Sequence, residues 1–67
     1  MNTHTNFGTL LMKALNEKKM TQQEFADEMD TTQSTVWQWM NGKSEPTLIK
    51  ALRACKMLGI NPNEITI

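Results

Sequence analysis

Residues 21–42, TQQEFADEMDTTQSTVWQWMNG, constrain the fold of this chain more tightly than any other segment. Thr21 is followed three residues later by Glu24, and this spacing lets the two side chains satisfy free backbone groups at the start of a helix. The apolar residues that come next recur at the spacing of one helical face: Phe25, Ala26 and Met29. The pattern predicts a short helix with one packed face and one solvated face.

A second short helix is predicted directly after the first, with Thr32 as its candidate N-cap. Its apolar positions again fall on one helical face: Val36, Trp39 and Met40. Asn41-Gly42 then ends the run with a residue pair that readily adopts the left-handed conformation of a helix terminus. These signals describe two short helices joined by a tight corner.

Further helices are predicted on both sides of this pair. A first helix should end at Glu17-Lys18-Lys19, where its cations lie near the negative end of the helix dipole. Its apolar stripe consists of Phe7, Leu10, Leu11, Ala14 and Leu15. Pro46 is expected to open a fourth helix and Gly59 to stop it. The residues expected to face inward from that helix are Leu48, Ala51, Leu52, Cys55 and Leu58.

The last residues add one short element. Asn61-Pro62-Asn63-Glu64 has the pattern of a cap and first turn, leading to a short final helix or turn that holds Ile65. Residues 1–6 are polar and lack a cap, so they are expected to form a mobile arm. The chain is therefore predicted to be all-α, with one compact five-helix domain over residues 7–67.

Length and composition limit the possible functions. Sixty-seven residues allow one domain at most. One cysteine cannot form an internal disulfide, and no apolar stretch is long enough for a signal or a membrane span, so a cytoplasmic protein is expected. His4 falls in the arm and Cys55 on an apolar stripe, which leaves no pair of groups for catalysis and no closed metal site. Neither an enzyme activity, a cofactor, nor a small-molecule substrate is predicted.

The order and spacing of these segments resemble the Cro and repressor type of helix-turn-helix regulators from temperate phages and their bacterial relatives. The similarity runs through MTQQEFADEM and TTQSTVWQWMNGKSEP to LIKALRACKMLGINPNEI, and so covers most of the chain. It implies a lambda-repressor-like fold and double-stranded DNA as the partner. In such proteins the second helix of the motif lies in the major groove, with its N-terminal residues at the base edges.

The residues expected to contact bases lie on the side of the second motif helix opposite its packing residues: Gln33, Ser34, Trp37 and Gln38. A glutamine amide offers a donor and an acceptor in one plane, which suits the N7 and N6 atoms of adenine. Gln33 and Gln38 are therefore the leading candidates, with Ser34 and Thr32 ranked below them. The alternative is that these glutamines only make the helix soluble.

Phosphate contacts are expected from Gln22, at the start of the first motif helix, because helix N-termini favour anions. The family resemblance implies further contacts from the loop after the second motif helix, at Asn41, Gly42 and Lys43. Two alternatives remain open. Asn41-Gly42 also serves as a helix stop, and Lys43 could equally be an ordinary loop lysine.

Trp37 and Trp39 are two residues apart, so one helix face cannot bury both. Trp39 is given the structural role. Trp37 could pack along the sugar-phosphate wall, touch a thymine methyl, contact a protein, or cover a neighbouring helix.

Three features depart from the family pattern. Asp30 stands where the turn usually has Gly, so some backbone strain is expected there. Leu15 and Met40 replace an Arg and Glu pair together, which predicts a contact between them. Seven Lys and Arg against seven Asp and Glu give no net charge, whereas DNA-binding proteins usually carry a basic surface.

The function expected from this resemblance is sequence-specific regulation of transcription by a Cro-type repressor on a palindromic operator. Two copies should meet as a weak homodimer, formed or completed on DNA, through Pro46, Ile60, Asn61 and Pro62. The alternative is a protein-interaction module of the same fold, in the manner of an antirepressor or antitoxin partner. Zero net charge and Trp37 favour that alternative, whereas the two glutamines favour DNA.

Overall fold

A computed structural model describes residues 5–66, and within this range the chain forms four α-helices and no strand. The helices are α1 (Phe7–Lys18), α2 (Gln22–Glu28), α3 (Gln33–Met40) and α4 (Leu48–Leu58), followed by a single 3₁₀ turn at Pro62–Glu64. The predicted all-α class is confirmed, and α2 and α3 are the two short helices of the motif.

The predicted short final helix or turn is a single 3₁₀ turn, so the described residues form four α-helices where five helices were predicted. Asn61 does start a turn, since its side-chain oxygen accepts a hydrogen bond from the backbone N–H of Asn63 at 3.0 Å. Ile65, however, has returned to an extended conformation. One turn orders several residues for very few hydrogen bonds, so it does not propagate without further packing.

The core is formed by residues from all four helices. Its buried members are Phe7, Leu11, Ala14, Leu15, Phe25, Ala26, Met29, Val36, Trp39, Ala54, Cys55 and Leu58. The apolar stripes predicted for the first three helices are confirmed, except that Leu10 and Met40 are half-buried. Each large apolar side chain contributes roughly 1.5–3 kcal/mol when it is fully buried.

Gly8 allows α1 to approach the end of α3 closely. A Cβ atom at Gly8 would overlap the backbone carbonyl oxygens of Trp39 and Met40. The first turn of α1 therefore lies against the last carbonyl groups of α3, and the partial charges of these two helix ends attract each other. This contact fixes the position of α3, and sequence patterning did not identify it.

The predicted inward face of α4 was partly wrong. Leu48 is 73% exposed and Leu52 is 45% exposed, whereas Ala54 is fully buried beside Cys55 and Leu58. The helix is rotated so that Ala54, together with Cys55 and Leu58, joins the core in place of Leu48 and Leu52. The predicted start was also wrong: α4 begins at Leu48, and the Thr47 hydroxyl accepts from the Lys50 N–H at 3.3 Å.

Residues at the two ends of the described range are joined by hydrogen bonds. The Asn6 side chain donates to the Glu64 carbonyl at 2.9 Å and accepts from the Thr66 N–H at 2.7 Å. Its backbone N–H donates to the Thr66 carbonyl at 2.9 Å. Thr5 donates from its backbone and its hydroxyl to Glu45, at 2.6 and 2.9 Å. Thr5 and Asn6 of the predicted arm are thus part of the fold, while residues 1–4 lie outside the described range.

Candidate nucleic-acid interface

The start of α3 is fixed by Thr32. Its side-chain oxygen accepts from the Thr35 N–H at 3.1 Å, and the two hydroxyl groups are 2.9 Å apart. The predicted cap is confirmed. The Thr32 hydroxyl is therefore already used within the helix terminus, although the residue is exposed at the end where a base contact was predicted.

The predicted base-contacting residues share the solvent side of α3. Gln33 and Ser34 are exposed, Gln38 is half-buried, and Val36 on the opposite side is fully buried. Within residues 5–66, no side-chain hydrogen bond holds the Gln33 or Gln38 amide. Both amides are thus available to a base edge, while the helix that carries them is anchored in the core.

The two tryptophans differ as predicted. Trp39 is 3% exposed and packs in the core, whereas Trp37 is 47% exposed. Trp37 lies between Gln33 and Ser34 in angular position around the helix, at the centre of the solvent face. Any molecule that covers this face must meet the Trp37 ring.

The loop after α3 has a defined conformation. Gly42 has φ 69°, its N–H donates to the Trp39 carbonyl at 3.4 Å, and the Lys43 N–H donates to the Gln38 carbonyl at 2.9 Å. This is the Schellman arrangement, and it confirms the predicted left-handed stop. The Asn41 side-chain amide donates to the Trp37 carbonyl at 2.8 Å, and the residue is exposed. Lys43 is exposed directly after this stop.

The start of α2 has the predicted capping box. The Thr21 hydroxyl accepts from the Glu24 N–H at 3.0 Å, and Glu24 Oε1 accepts from the Thr21 N–H at 2.8 Å. This backbone hydrogen bond, followed by the hydroxyl contact, lowers the pKa of Glu24. Glu24 is thus ionised at neutral pH. Its negative charge lies in the same helical turn as Gln22, the residue predicted to contact a phosphate, and the sequence-based prediction did not take this charge into account.

The Leu15 and Met40 side chains, predicted as an apolar pair, both line one groove of about 540 Å³ between α1, α2 and α3. Gln22 and Met20 line the same groove. Gln22 at the start of α2 and Met40 at the end of α3 thus line the same groove.

The predicted dimer residues flank α4 in the sequence. Pro46 lines a groove beside α4, while Ile60 packs against the core at the other end of that helix. Asn61 and Pro62 are exposed next to Ile60.

The remaining chemistry of the described residues is limited. Cys55 is buried, as predicted, and burial raises the pKa of its thiol. Among residues 5–66, no group of three His, Cys, Asp or Glu side chains could hold a metal ion. No helix in this range has the length and apolar character needed to cross a membrane.

A comparison with models of known protein families gives a match. The family model described as Helix-turn-helix matches residues 11–65, which include α2, α3 and most of the core. No curated protein and no solved structure matches the chain. The matched range covers most of the chain and contains both capped helices of the motif, so this protein belongs to the helix-turn-helix family of DNA-binding regulatory domains.

Proposed function

We propose that this protein is a sequence-specific transcription regulator, and that it acts as a Cro-type repressor on a palindromic operator. The supporting observation is α3 itself: its core side is buried at Val36 and Trp39, and its opposite side presents Gln33 and Ser34 to solvent. A helix held in this way can enter the major groove without rearranging. Occupying an operator would then exclude RNA polymerase from an overlapping promoter.

Base contacts are assigned to five residues of α3 and its cap: Gln33, Ser34, Gln38, Thr32 and Trp37. Gln33 and Gln38 carry the main specificity, because an amide can make two hydrogen bonds to adenine. Thr32 contributes mainly through its methyl group, since its hydroxyl is bonded to Thr35. Trp37 lies between Gln33 and Ser34 around the helix and packs on a thymine methyl or on the sugar-phosphate backbone.

Phosphate contacts are assigned to Gln22 on one side of the groove and to the Asn41–Lys43 loop on the other. The Schellman stop holds the loop backbone in place, so it can approach a phosphate with little loss of entropy. Lys43 supplies the only positive charge in residues 20–43. Electrostatic attraction to DNA is therefore small.

The direct test is selection from a randomised duplex library at low and moderate salt, with wild-type protein and Gln33→Ala in parallel. Enrichment of a two-fold symmetric site is expected, and the substitution should relax the preference at one base position in each half-site. Gln23→Ala is the matched control, because the Gln23 amide is bonded to Asp27 at 2.8 Å and should not affect base preference. The absence of any enriched site at either salt would overturn the proposal.

A second candidate function is a protein-interaction module that uses the same α3 face. The 47% exposure of Trp37 and the zero net charge favour it. Under this alternative, Trp37→Ala abolishes binding to a protein partner and no duplex is enriched. Under the DNA proposal, Trp37→Ala leaves the Gln33-dependent base preference largely intact.

A further inference from the structure

The groove between α1, α2 and α3 has an apolar lining that the proposed function does not use. The apolar residues that line it are Met12, Leu15, Met20 and Met40. The polar residues that line it are Thr9, Lys13, Asn16 and Gln22. We call this feature the methionine groove, after its three methionines. Its volume of about 540 Å³ is typical of pockets that hold small organic molecules, which are also mostly apolar with a few polar groups.

Most of the apolar lining of the methionine groove is recessed from the surface. Leu15 is buried, and Met20 and Met40 are half-buried. Met12 differs from them, because 49% of its side chain is exposed. Methionine side chains are unbranched and flexible, so they can adjust to the shape of an apolar molecule. An aliphatic chain lying along these side chains would remove apolar surface from water on both molecules.

The polar residues of the groove favour a negatively charged group. Among the described residues that line the groove, Lys13 alone is ionisable, and Glu17, the acidic residue of α1, does not line it. Within residues 5–66, neither the Lys13 nor the Asn16 side chain makes a hydrogen bond or ion pair. The two residues are three apart on α1, so their side chains are neighbours on the helix surface. An ammonium group and an amide N–H so placed can donate to the two oxygens of one carboxylate.

We propose that the methionine groove binds a free aliphatic carboxylate of medium chain length. Its alkyl chain lies on the three methionines and Leu15, and its carboxylate is held by Lys13 and Asn16. The positive charge of Lys13 selects a carboxylate over a neutral or cationic amphiphile. The recessed lining favours a small molecule over a protein partner, because a stable protein interface covers about 800 Å² on each side. Four apolar side chains, of which only Met12 is exposed, provide less than this.

A ligand in the methionine groove is expected to weaken DNA binding. Gln22 lines the groove and is also assigned a phosphate contact, and Met40 directly precedes the Asn41–Lys43 loop to which the other phosphate contacts are assigned. A bound carboxylate adds a negative charge close to Gln22, and this charge repels a phosphate. Because the coupling is reciprocal, operator DNA lowers the affinity for the carboxylate by the same factor. This consequence, unlike the ligand site itself, rests on the proposed function.

The first test is a nuclear magnetic resonance titration of wild-type protein that carries ¹³C at its methionine methyl groups. The probe is sodium decanoate, kept below the concentration at which it forms micelles. The methyl resonances of Met12, Met20 and Met40 should shift along one saturable curve. Met29 in the core and Met57 on α4 do not line the groove, so they serve as internal references and should shift little. Equal shifts at all five methionines, or no saturable shift at the groove methionines, would overturn the proposal.

A pair of substitutions tests the apolar contact. Met12→Gln should weaken decanoate binding by about threefold or more, because it removes an apolar side chain from the groove. Ile49→Gln is the matched control, since Ile49 is 73% exposed on α4 and does not line the groove. It should bind decanoate like wild type. Equal weakening by the two substitutions would identify adsorption to any exposed apolar side chain, and the site would then be wrong.

The charge is tested at Lys13 and with three head groups on the same alkyl chain. Lys13→Gln should weaken decanoate binding on the order of threefold, as expected for an exposed ion pair, and should leave the binding of decanol unchanged. Decyltrimethylammonium should bind wild type more weakly than decanoate. Equal binding of all three amphiphiles, or no effect of Lys13→Gln on decanoate, would refute the carboxylate site. Binding to vesicles of anionic lipid without binding to free decanoate would also refute it.

The effect on DNA is measured with the operator selected from the duplex library, at constant sodium concentration. Decanoate should raise the apparent Kd of wild type for the operator, and it should raise that of Met12→Gln less. An operator affinity that saturating decanoate leaves unchanged would remove the coupling. Saturable shifts of the groove methionines without any enriched duplex would remove the DNA function and keep the ligand site. An enriched operator without such shifts would remove the ligand site and keep the DNA function.

Discussion

Lys19 and Asp30 hold left-handed backbone conformations although neither is glycine, with φ 55° and φ 56°. Each follows a helix end and completes the same hydrogen-bond pattern that Gly42 completes after α3. The Met20 N–H donates to the Leu15 carbonyl at 2.9 Å, and the Thr31 N–H donates to the Ala26 carbonyl at 2.9 Å. The tight corner between α2 and α3 thus depends on an aspartate in a conformation that costs a side-chain-bearing residue free energy.

Asp30→Gly should stabilise the fold by about 0.5–1 kcal/mol, because glycine adopts the left-handed conformation without a Cβ penalty. The change also removes a negative charge from the C-terminal end of α2. Urea denaturation monitored by circular dichroism measures the effect, and Asp30→Asn separates charge from backbone strain. A Gly variant less stable than wild type would show that the aspartate side chain has a structural role.

Glu24 gives the stability of α2 a dependence on pH. Its pKa is lowered in the folded state, mainly by the hydrogen bond from the Thr21 backbone N–H. A lowered carboxyl pKa contributes stability that is fully present above the unfolded-state pKa and is lost as pH falls through the folded-state pKa. Glu24→Gln keeps an acceptor oxygen but has no charge to lose. In chemical denaturation at stepwise lower pH, its free energy of unfolding should therefore fall less steeply with decreasing pH than that of wild type. The same dependence of the unfolding free energy on acidic pH in both proteins would show that the ionised carboxylate contributes nothing to stability.

At the scale of the element, the position of α3 depends on its contacts at both ends. Thr32 caps its start, and the Gly42 stop closes its end. Between them, the carbonyl groups of Trp39 and Met40 lie against Gly8 of α1. The surface proposed to enter DNA is therefore supported by a glycine on another helix.

Gly8→Ala should destabilise the fold by about 1–3 kcal/mol, because the added methyl group meets backbone atoms that cannot move aside as a side chain would. In a domain of this size that loss lowers Tm by several degrees, on the order of 4–8 °C per kcal/mol. Differential scanning calorimetry measures it, with the exposed neighbour change Thr9→Ala as control. A Gly8→Ala variant with the Tm of wild type would mean that α1 and α3 separate easily.

At the scale of the whole molecule, Asn6 joins the start of α1 to the segment after the 3₁₀ turn. Asn6 is the N-cap residue of α1, yet its side chain makes no cap hydrogen bond. That amide instead bonds Glu64 and Thr66, 58 and 60 residues away. The last described residues are therefore held to the body of the domain, although the final helical element is only one 3₁₀ turn.

Asn6→Ala should lower the free energy of unfolding by about 1–2 kcal/mol, since two hydrogen bonds are lost. Amide hydrogen exchange should show faster exchange at Thr66, whose N–H loses its acceptor, and little change in α2. Asn6→Asp is the informative control, because a carboxylate can accept from Thr66 but cannot donate to Glu64. An unchanged exchange rate at the Thr66 amide in Asn6→Ala would contradict the stabilising role given to the Asn6 hydrogen bonds.

The zero net charge also has a consequence for the whole molecule. Each phosphate neutralised on duplex DNA gives about 0.9 log units of affinity per log unit of salt. With Lys43 as the one cation of residues 20–43, the slope should correspond to only a handful of phosphates. Fluorescence anisotropy on the selected operator between low and moderate salt measures the slope. A steep slope would indicate that other cations, such as those of α4, contact DNA.

The sequence by itself determined the capped starts of α2 and α3, the stop after α3, and the register of α3. These features depend on interactions within a few residues, so they can be recognised without the rest of the chain. They are the capping residues, the Asn41-Gly42 stop and the spacing of Val36 and Trp39. The same local signals placed Gln33 and Ser34 on the solvent side and separated Trp37 from Trp39.

Only the tertiary structure decided which side of α4 is buried and where the last helix stops. α4 carries two overlapping apolar stripes, and the burial of Ala54 rather than Leu48 depends on the core that the other helices form, which the pattern of α4 alone does not show. The Gly8 contact and the Asn6 hydrogen bonds join residues distant in sequence, for which no local pattern exists. The exposure of Leu48 and Leu52 follows from how α4 packs. The sequence shows that a leucine is apolar, but it does not show whether another part of the chain covers it.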